Sequence, residues 1–276
     1  MGPLPPADQD ALRRAVRVLE RPSLAIRIAD YVGLPVEALV RRLPDRAQKL
    51  VGDGTRRALE ASLDVALRTL DGTARPASNW LHRGLVIATG AAGGAVGLPG
   101  LLVELPVSTT VMLRSIADHA RAQGEDLSDV AARLECLTVF AYGSPSASDD
   151  AAESAYFAVR AGLARSVSQA AEYVTRHGAA QAMADKAAPA IARLLARIAQ
   201  RFGVAVGDKV AAQLVPVVGA AGGAAMNTVF ITHFQDTAEA HFTVRRLERR
   251  HGAEAVRAAY GTAERANALA ARGGRA

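Results

Sequence analysis

The residues best placed for chemistry lie on one predicted helix near the end of the chain. His233 and Asp236 are three residues apart and therefore share a helix face, with Glu239 and His241 further along. An imidazole and a carboxylate on one face could bind a divalent metal if another element, such as the one that carries Glu104, supplied a third ligand. The plainer interpretation, which we favour, is an ordinary polar helix face with a partly buried histidine.

The chain lacks the short motifs that are typical of several enzyme classes. It contains no Gly-x-x-x-x-Gly-Lys-Ser/Thr phosphate loop, no His-Glu-x-x-His zinc motif and no Gly-x-Ser-x-Gly nucleophile turn. Its one cysteine, Cys136, excludes an internal disulfide and a cysteine-based zinc site, and its apolar neighbours predict a buried small side chain. We therefore assign no catalytic residue and expect no cofactor.

Three further polar residues are candidates for a structural or functional role. Glu104 lies just before Pro106 at a predicted helix start, where the helix dipole favours a carboxylate. Arg114, on the same helix, is predicted to pair with Asp118 four residues on. Asn227 lies in an apolar helix, and a buried amide needs partners. We expect it to hydrogen-bond a break in a neighbouring helix, with ligand contact as the alternative.

Two glycine-rich apolar segments dominate the sequence. Residues 85–95 and 214–224 are identical at eight of eleven aligned positions, through either duplication or the glycine and alanine bias of the chain. Glycines four residues apart place small residues on one helix face, which allows a second backbone to approach closely. The residues expected to serve helix packing are Gly90, Gly93, Gly94, Gly97, Pro99, Gly100, Gly219, Gly222 and Gly223.

The first glycine-rich segment belongs to a stretch without charge, residues 84–103, which is long enough to cross a bilayer. Pro99, between Leu98 and Gly100, is expected to turn this stretch halfway, and Pro216 interrupts the second segment. Short helical hairpins are therefore favoured over spanning helices. A buried core hairpin and a shallow, reversible membrane insertion are both compatible with such arms.

Composition indicates an all-α protein. Half of the residues are hydrophobic but only 4% are aromatic, so alanine, leucine and valine carry the apolar content. The formal net charge is +6, with basic residues clustered at 245–251, where a helix end could meet anionic lipid. No aromatic residues alternate with the charges, so nucleic acid is not an expected partner. The N-terminus has no signal-peptide pattern, and we expect a cytoplasmic protein.

The apolar period predicts a single helical domain over residues 10–271, flanked by flexible tails at 1–9 and 272–276. In this domain, amphipathic helices surround the two glycine-rich hairpins. Gly124 is placed to end one helix and Ser128 to cap the next. The main predicted helices cover about 10–20, 46–70, 107–123, 128–142, 150–176, 179–201, 205–215, 222–250 and 253–271.

Several motifs resemble the EcsC protein family. Gly97-Leu98-Pro99-Gly100-Leu101-Leu102-Val103-Glu104-Leu105-Pro106 is followed by Leu113-Arg114-Ser115-Ile116-Ala117, and the resemblance extends over about residues 45–255. Two departures are Glu104, where the family usually carries aspartate, and Gln123, where an aromatic residue commonly precedes the glycine. The later matching stretches are Pro216-Val217-Val218-Gly219-Ala220, Asn227 and Phe242-Thr243-Val244-Arg245-Arg246-Leu247-Glu248.

This resemblance implies a bacterial, helical protein with a membrane-adjacent accessory role, because the family is named from a gene neighbourhood that contains an ABC transporter. We expect a non-enzymatic protein that associates reversibly with an anionic membrane surface or a membrane complex, at the inner face of the membrane. The alternative is a metal-dependent or peptidase-like hydrolase that uses the helix of His233 and Asp236. A homo-oligomer built on the small-residue faces is a further possibility.

Overall fold

The computed structural model describes residues 4–20, 24, 27–29, 43–70, 100–142, 155–213 and 219–273. These residues form α-helices and contain no strand, which confirms the all-α prediction. A short 3-10 turn, Val139–Ala141, follows the fourth helix. The helices are Pro6–Leu19 (α1), Asp45–Thr69 (α2), Leu101–Ala122 (α3), Val130–Thr138 (α4), Ala155–His177 (α5), Ala179–Ala184 (α6), Pro189–Gln213 (α7), Gly219–His251 (α8) and Ala253–Gly273 (α9).

The helices form because apolar residues recur at helical spacing and meet a common core. In α2, Leu59, Leu63, Ala66 and Leu67 are buried on one stripe, as the sequence pattern predicts. The longest helix, α8, packs against α1, α3, α7 and α9, so it forms the spine of the described structure. Around it, four phenylalanine rings pack with centroids 4.9 to 6.1 Å apart: Phe140, Phe202, Phe230 and Phe234.

The turn between α3 and α4 shows how local sequence sets the helix ends. Gly124 has φ of +79°, a left-handed conformation that suits glycine, and it ends α3 as predicted. The next helix is capped by Asp129, whose carboxylate accepts a hydrogen bond from the Ala131 amide at 3.0 Å. The prediction of Ser128 as the cap is therefore wrong by one residue.

Other boundaries differ from the predicted ones for identifiable reasons. The first helix begins at Pro6 rather than at residue 10, because proline is tolerated in a first turn. Likewise α3 begins at Leu101 and includes Pro106 near its start. The predicted break near residues 201–205 is absent, since Phe202 is buried and α7 continues past Gly203. A break occurs instead between Ala184 and Pro189.

The glycine-rich segments are only partly covered by the described residues. Gly100 directly precedes α3, and Gly219, Gly222 and Gly223 lie in the first two turns of α8. The predicted hairpin arms at 85–95 and 214–218, with Gly90, Gly93, Gly94, Gly97 and Pro99, lie outside the described residues.

Candidate functional site

A buried ion pair joins three helices of the fold. The Lys209 ammonium of α7 donates a hydrogen bond of 2.7 Å to Glu104 Oε1 of α3, and these side chains are 0% and 5% exposed. Asn227 of α8 donates its amide Nδ2 to the same oxygen at 3.2 Å. The ammonium also lies 5.2 Å from the centre of the Phe230 ring. We refer to Glu104, Lys209 and Asn227 as the Glu104 cluster.

The Glu104 cluster joins described residues that flank both glycine-rich segments in sequence. Glu104 is in the first turn of α3, directly after the uncharged stretch 84–103. Lys209 precedes residue 214 by just over one turn, and Asn227 follows residue 224 by about one turn. Because one carboxylate oxygen contacts both Lys209 and Asn227, the residues that flank the two segments in sequence lie together in the fold.

Two exposed valines lie beside Glu104 on α3. Val103 and Val107 are 72% and 45% exposed, and four-residue spacing places them on one face of α3. Glu104, between them in sequence, points inward to Lys209. This end of α3 therefore combines a buried charge inside with exposed valines outside.

His233 and Asp236, which were predicted as metal ligands, both lie on α8, but their contacts are not those of a metal site. Asp236 accepts a hydrogen bond of 3.1 Å from Arg27. His233 is buried, and desolvation, together with the charge of Arg27, lowers its pKa to about 3. Among the described residues, no group of three or more His, Cys, Asp or Glu side chains could hold a metal ion.

Glu104 does not form a metal site together with His233 and Asp236. It contacts Asn227, and His233 lies six residues further along α8, about 9 Å along the helix axis. Glu104 instead pairs with Lys209, and within the described part of the chain it forms no metal-binding group with His233 and Asp236.

The predicted positions of the other polar residues are confirmed, but the contacts found for them differ from the predicted ones. Asn227 is fully buried, as expected, and the partner found for it is the Glu104 carboxylate. Glu104 lies in the first turn of its helix, as predicted. Asp118 forms its ion pair with Arg121 at 2.9 Å, three residues on, whereas Arg114 was the predicted partner. Cys136 is buried and unbridged, which agrees with its interpretation as a small core side chain.

The importance of Lys209 is not evident from sequence motifs. It is one of three lysines in a chain whose other 30 basic residues are arginine, and it precedes an uncharged stretch of α7 and α8. A lone cation at the edge of an apolar stretch is the signal that could have indicated a buried, paired lysine. Its partner is 105 residues away and follows only from tertiary packing.

A second buried cluster surrounds His241 of α8. The Tyr156 hydroxyl lies 2.8 Å from His241 Nδ1, and His241 Nε2 lies 3.3 Å from Glu135 Oε1. The Tyr142 ring packs on the imidazole, with centroids 4.8 Å apart. We refer to Tyr156, His241, Glu135 and the nearby Arg245 as the His241 cluster.

Burial and charge decide the protonation of this cluster. Burial lowers the pKa of His241 despite the nearby Glu135 carboxylate, so the imidazole is neutral near pH 7. Burial alone would raise the pKa of Glu135, but contact with His241 and the charges of Arg245 and Arg160 lower it overall. Burial also raises the pKa of Tyr156. When the Nδ1 of a neutral His241 accepts a hydrogen bond from the Tyr156 hydroxyl, the imidazole proton is on Nε2, which lies 3.3 Å from the Glu135 carboxylate.

Arginine–glutamate pairs enclose the His241 cluster. Arg245 donates two hydrogen bonds of 2.9 Å to Glu125, which also contacts Arg249. Arg160 of α5 binds both oxygens of Glu248 at 2.8 and 2.7 Å. These forked pairs have the geometry of strong, oriented hydrogen bonds, and they join the loop after α3 and helix α5 to α8.

The basic end of α8 therefore has internal carboxylate partners. Asp8 of α1 lies 2.7 Å from His251 Nε2 and 3.5 Å from Arg250 Nη1, and Arg246 lies within 4.0 Å of it. The hydrogen bond with His251 lowers the pKa of Asp8, and the arginine charges contribute further. The predicted contact of this helix end with anionic lipid stays a prediction, but its cations already bind α1 and the turn after α3.

These features define an all-helical protein whose long helix α8 is joined to its neighbours by buried and partly buried polar contacts. The chain belongs to the EcsC protein family, whose sequence pattern matches residues 26–247. The resemblance read from the sequence motifs is thus confirmed. No curated protein and no solved structure matches the chain. Within the described residues, no helix combines the length and apolar character needed to cross a membrane.

Proposed function

We propose that this protein is a non-enzymatic accessory protein that associates reversibly with a membrane, or with a protein complex in a membrane. The end of the helical body at the Glu104 cluster makes the contact. In this proposal the protein is cytoplasmic and binds peripherally at the inner face of the membrane.

The observation that carries the proposal is that described residues flanking the two uncharged glycine-rich segments contact one another. Glu104, which follows the first segment in sequence, contacts Lys209 and Asn227, which flank the second. The exposed Val103 and Val107 extend this apolar character onto the described surface. Large side chains of this kind are usually buried, and exposed apolar residues that adjoin further apolar chain are typical of membrane or protein contacts.

The Glu104 cluster supports such a role because it constrains the described residues that flank the apolar segments in sequence. A buried ion pair adds little net stability, but separating its partners is expensive because a lone buried charge remains. The pair therefore holds the first turn of α3 and the end of α7 in one arrangement. The overall charge of +6 adds a general attraction to anionic lipid.

Vesicle flotation with a designed surface change tests the proposal. The protein is expected to float with vesicles of phosphatidylglycerol and phosphatidylcholine at low salt. Val103→Asp combined with Val107→Asp is expected to reduce the floating fraction by about tenfold, because charged groups resist transfer into the bilayer interface. The matched control is Leu269→Asp on α9, since Leu269 is 69% exposed but lies on a different helix.

The result that would overturn lipid binding is an unbound wild-type protein at low salt, or equal flotation of the valine and leucine variants. Cell fractionation separates the two forms of the proposal. Recovery with membranes in cells, without flotation on pure lipid, would assign the contact to a membrane complex. A wholly soluble fraction at low salt would contradict both forms. Mass measurement in solution independently tests the possible homo-oligomer.

The hydrolase hypothesis has less support in the geometry. It depends on His233 and Asp236 converging with a third ligand, but Asp236 binds Arg27 and Glu104 binds Lys209. Metal analysis of the purified protein tests it directly, and a stoichiometric transition metal would restore this alternative.

A further inference from the structure

A small cleft separates α1 from α8, and polar side chains line it. Its volume is about 280 Å³, and its walls include Arg14 of α1 and Glu239, Thr243 and Arg246 of α8. Three- and four-residue spacing from Glu239 to Arg246 places the α8 residues on one helix face. This volume is at the lower end of the range for small-molecule sites, so its ligand would be smaller than a typical drug.

The cleft contains charges of both signs, and some of them already have ion-pair partners, since Arg246 lies 4.0 Å from Asp8 of α1. Asp236, at one edge, is paired with Arg27. Arg14 and Glu239, in contrast, are both exposed and have no ion pair or hydrogen bond with any described residue, including each other. Arg246 adds a second guanidinium, whose Nε is buried and makes no hydrogen bond within the described part of the chain.

This arrangement suits a ligand that also carries both signs. A guanidinium binds a carboxylate or phosphate through its planar fork, and a carboxylate accepts hydrogen bonds from an ammonium group. A ligand with an anionic end and an ammonium end can bridge two charges that are too far apart to pair directly. The apolar walls, Ala11, Ala15 and Ala240, leave room for a short carbon frame between its two ends.

We propose that the cleft between α1 and α8 binds a small zwitterion, with its anionic group at Arg14 and Arg246 and its ammonium group at Glu239. A free amino acid and phosphoethanolamine share this chemistry. The inference goes beyond the proposed membrane association and does not depend on it. One wall of the cleft lies outside the family match, because α1 precedes residue 26.

Titration calorimetry on the full chain tests the site with glycine, L-alanine and phosphoethanolamine as separate probes. At least one of them is expected to bind, and the one that binds identifies the source of the zwitterion. Arg14→Gln and Glu239→Gln are each expected to weaken binding by at least about tenfold, because each removes one charge-assisted hydrogen bond. The matched control is Arg17→Gln, an exposed arginine one turn along α1 that does not line the cleft, and it should bind as the wild type does.

Two single-charge probes, acetate and ethylamine, distinguish bridging from simple ion binding. Each is expected to bind at least about tenfold more weakly than the zwitterion, since it engages only one end of the cleft. The proposal is overturned if no zwitterion binds at concentrations up to about 10 mM, if acetate binds as tightly as the zwitterion, or if Arg14→Gln and Glu239→Gln bind like the wild type. Melting temperatures establish that the variants remain folded, since both substituted side chains are exposed.

Discussion

The two buried clusters along α8 differ in the number of partners that compensate each buried charge. In the Glu104 cluster, counted over the described residues, the Lys209 ammonium has one carboxylate partner and Glu104 has one cation. In the His241 cluster, Glu135 lies near both His241 and Arg245, and Glu125 near both Arg245 and Arg249. The first cluster therefore depends on a single pair, whereas the second distributes charge over several partners. We therefore expect the removal of one residue to destabilise the protein more in the Glu104 cluster than in the His241 cluster.

The largest predicted effect comes from breaking the single pair. Glu104→Gln leaves Lys209 buried without a counter-charge, and we expect the free energy of unfolding to fall by about 3–5 kcal/mol. Urea denaturation followed by circular dichroism measures this change.

The double variant Glu104→Leu with Lys209→Met removes both charges and is expected to recover most of that loss. If the double variant is as unstable as Glu104→Gln alone, the unpaired charge is not the cause of the instability.

The next prediction concerns His233, which lies between the two clusters on α8. Its folded-state pKa, about 3, is below the ordinary value of 6.5. The unfolded chain therefore binds a proton at His233 that the folded chain does not, so stability falls as pH falls below 6.5. The slope from this residue approaches about 1.4 kcal/mol per pH unit.

His233→Leu is expected to flatten this slope between pH 6 and pH 5, as measured by urea midpoints at several pH values. His241 has a lowered pKa too and contributes its own slope, so the slope should be reduced rather than abolished. An unchanged slope in the variant would show that His233 titrates normally in the folded protein.

The smallest effect is expected in the cluster with several partners. Tyr156→Phe removes the hydroxyl that contacts His241 Nδ1 at 2.8 Å, and we expect a loss of about 1–2 kcal/mol. The ring contacts with Tyr142, which is tilted, and Tyr260, which is stacked, remain in place. A loss as large as that of Glu104→Gln would contradict the contrast between the two clusters. Urea denaturation under identical conditions provides the comparison.

Local pattern was sufficient to predict most helices but not how they pair. The period of apolar residues predicted α2 and α9 closely because each buries one stripe against the core. It failed at Gly203, where glycine suggested a break. There α7 packs closely on α2, and a Cβ at Gly203 would lie 4.0 Å from the Thr55 hydroxyl. Packing against a neighbour overrides the weak helix propensity of a single glycine.

The candidate site was predictable only in its separate parts. A buried Asn227 and a Glu104 in a first helical turn both followed from local sequence. Their contact, and the role of Lys209, depend on three helices that are distant in the chain. His241 was recognised as one of several polar residues on a helix. Its partner Tyr156 is 85 residues away, and no spacing rule connects them.

The contacts of α1 with the far end of the chain have an evolutionary consequence. Asp8 binds His251, and the Tyr260 hydroxyl donates to Glu20 at 2.8 Å, so four residues from the two ends form two pairs. All four lie outside residues 26–247, the region shared with the family. A substitution in one residue of either pair removes a hydrogen-bond partner from the other end of the chain. The two positions of each pair are therefore expected to covary among relatives that keep both terminal helices.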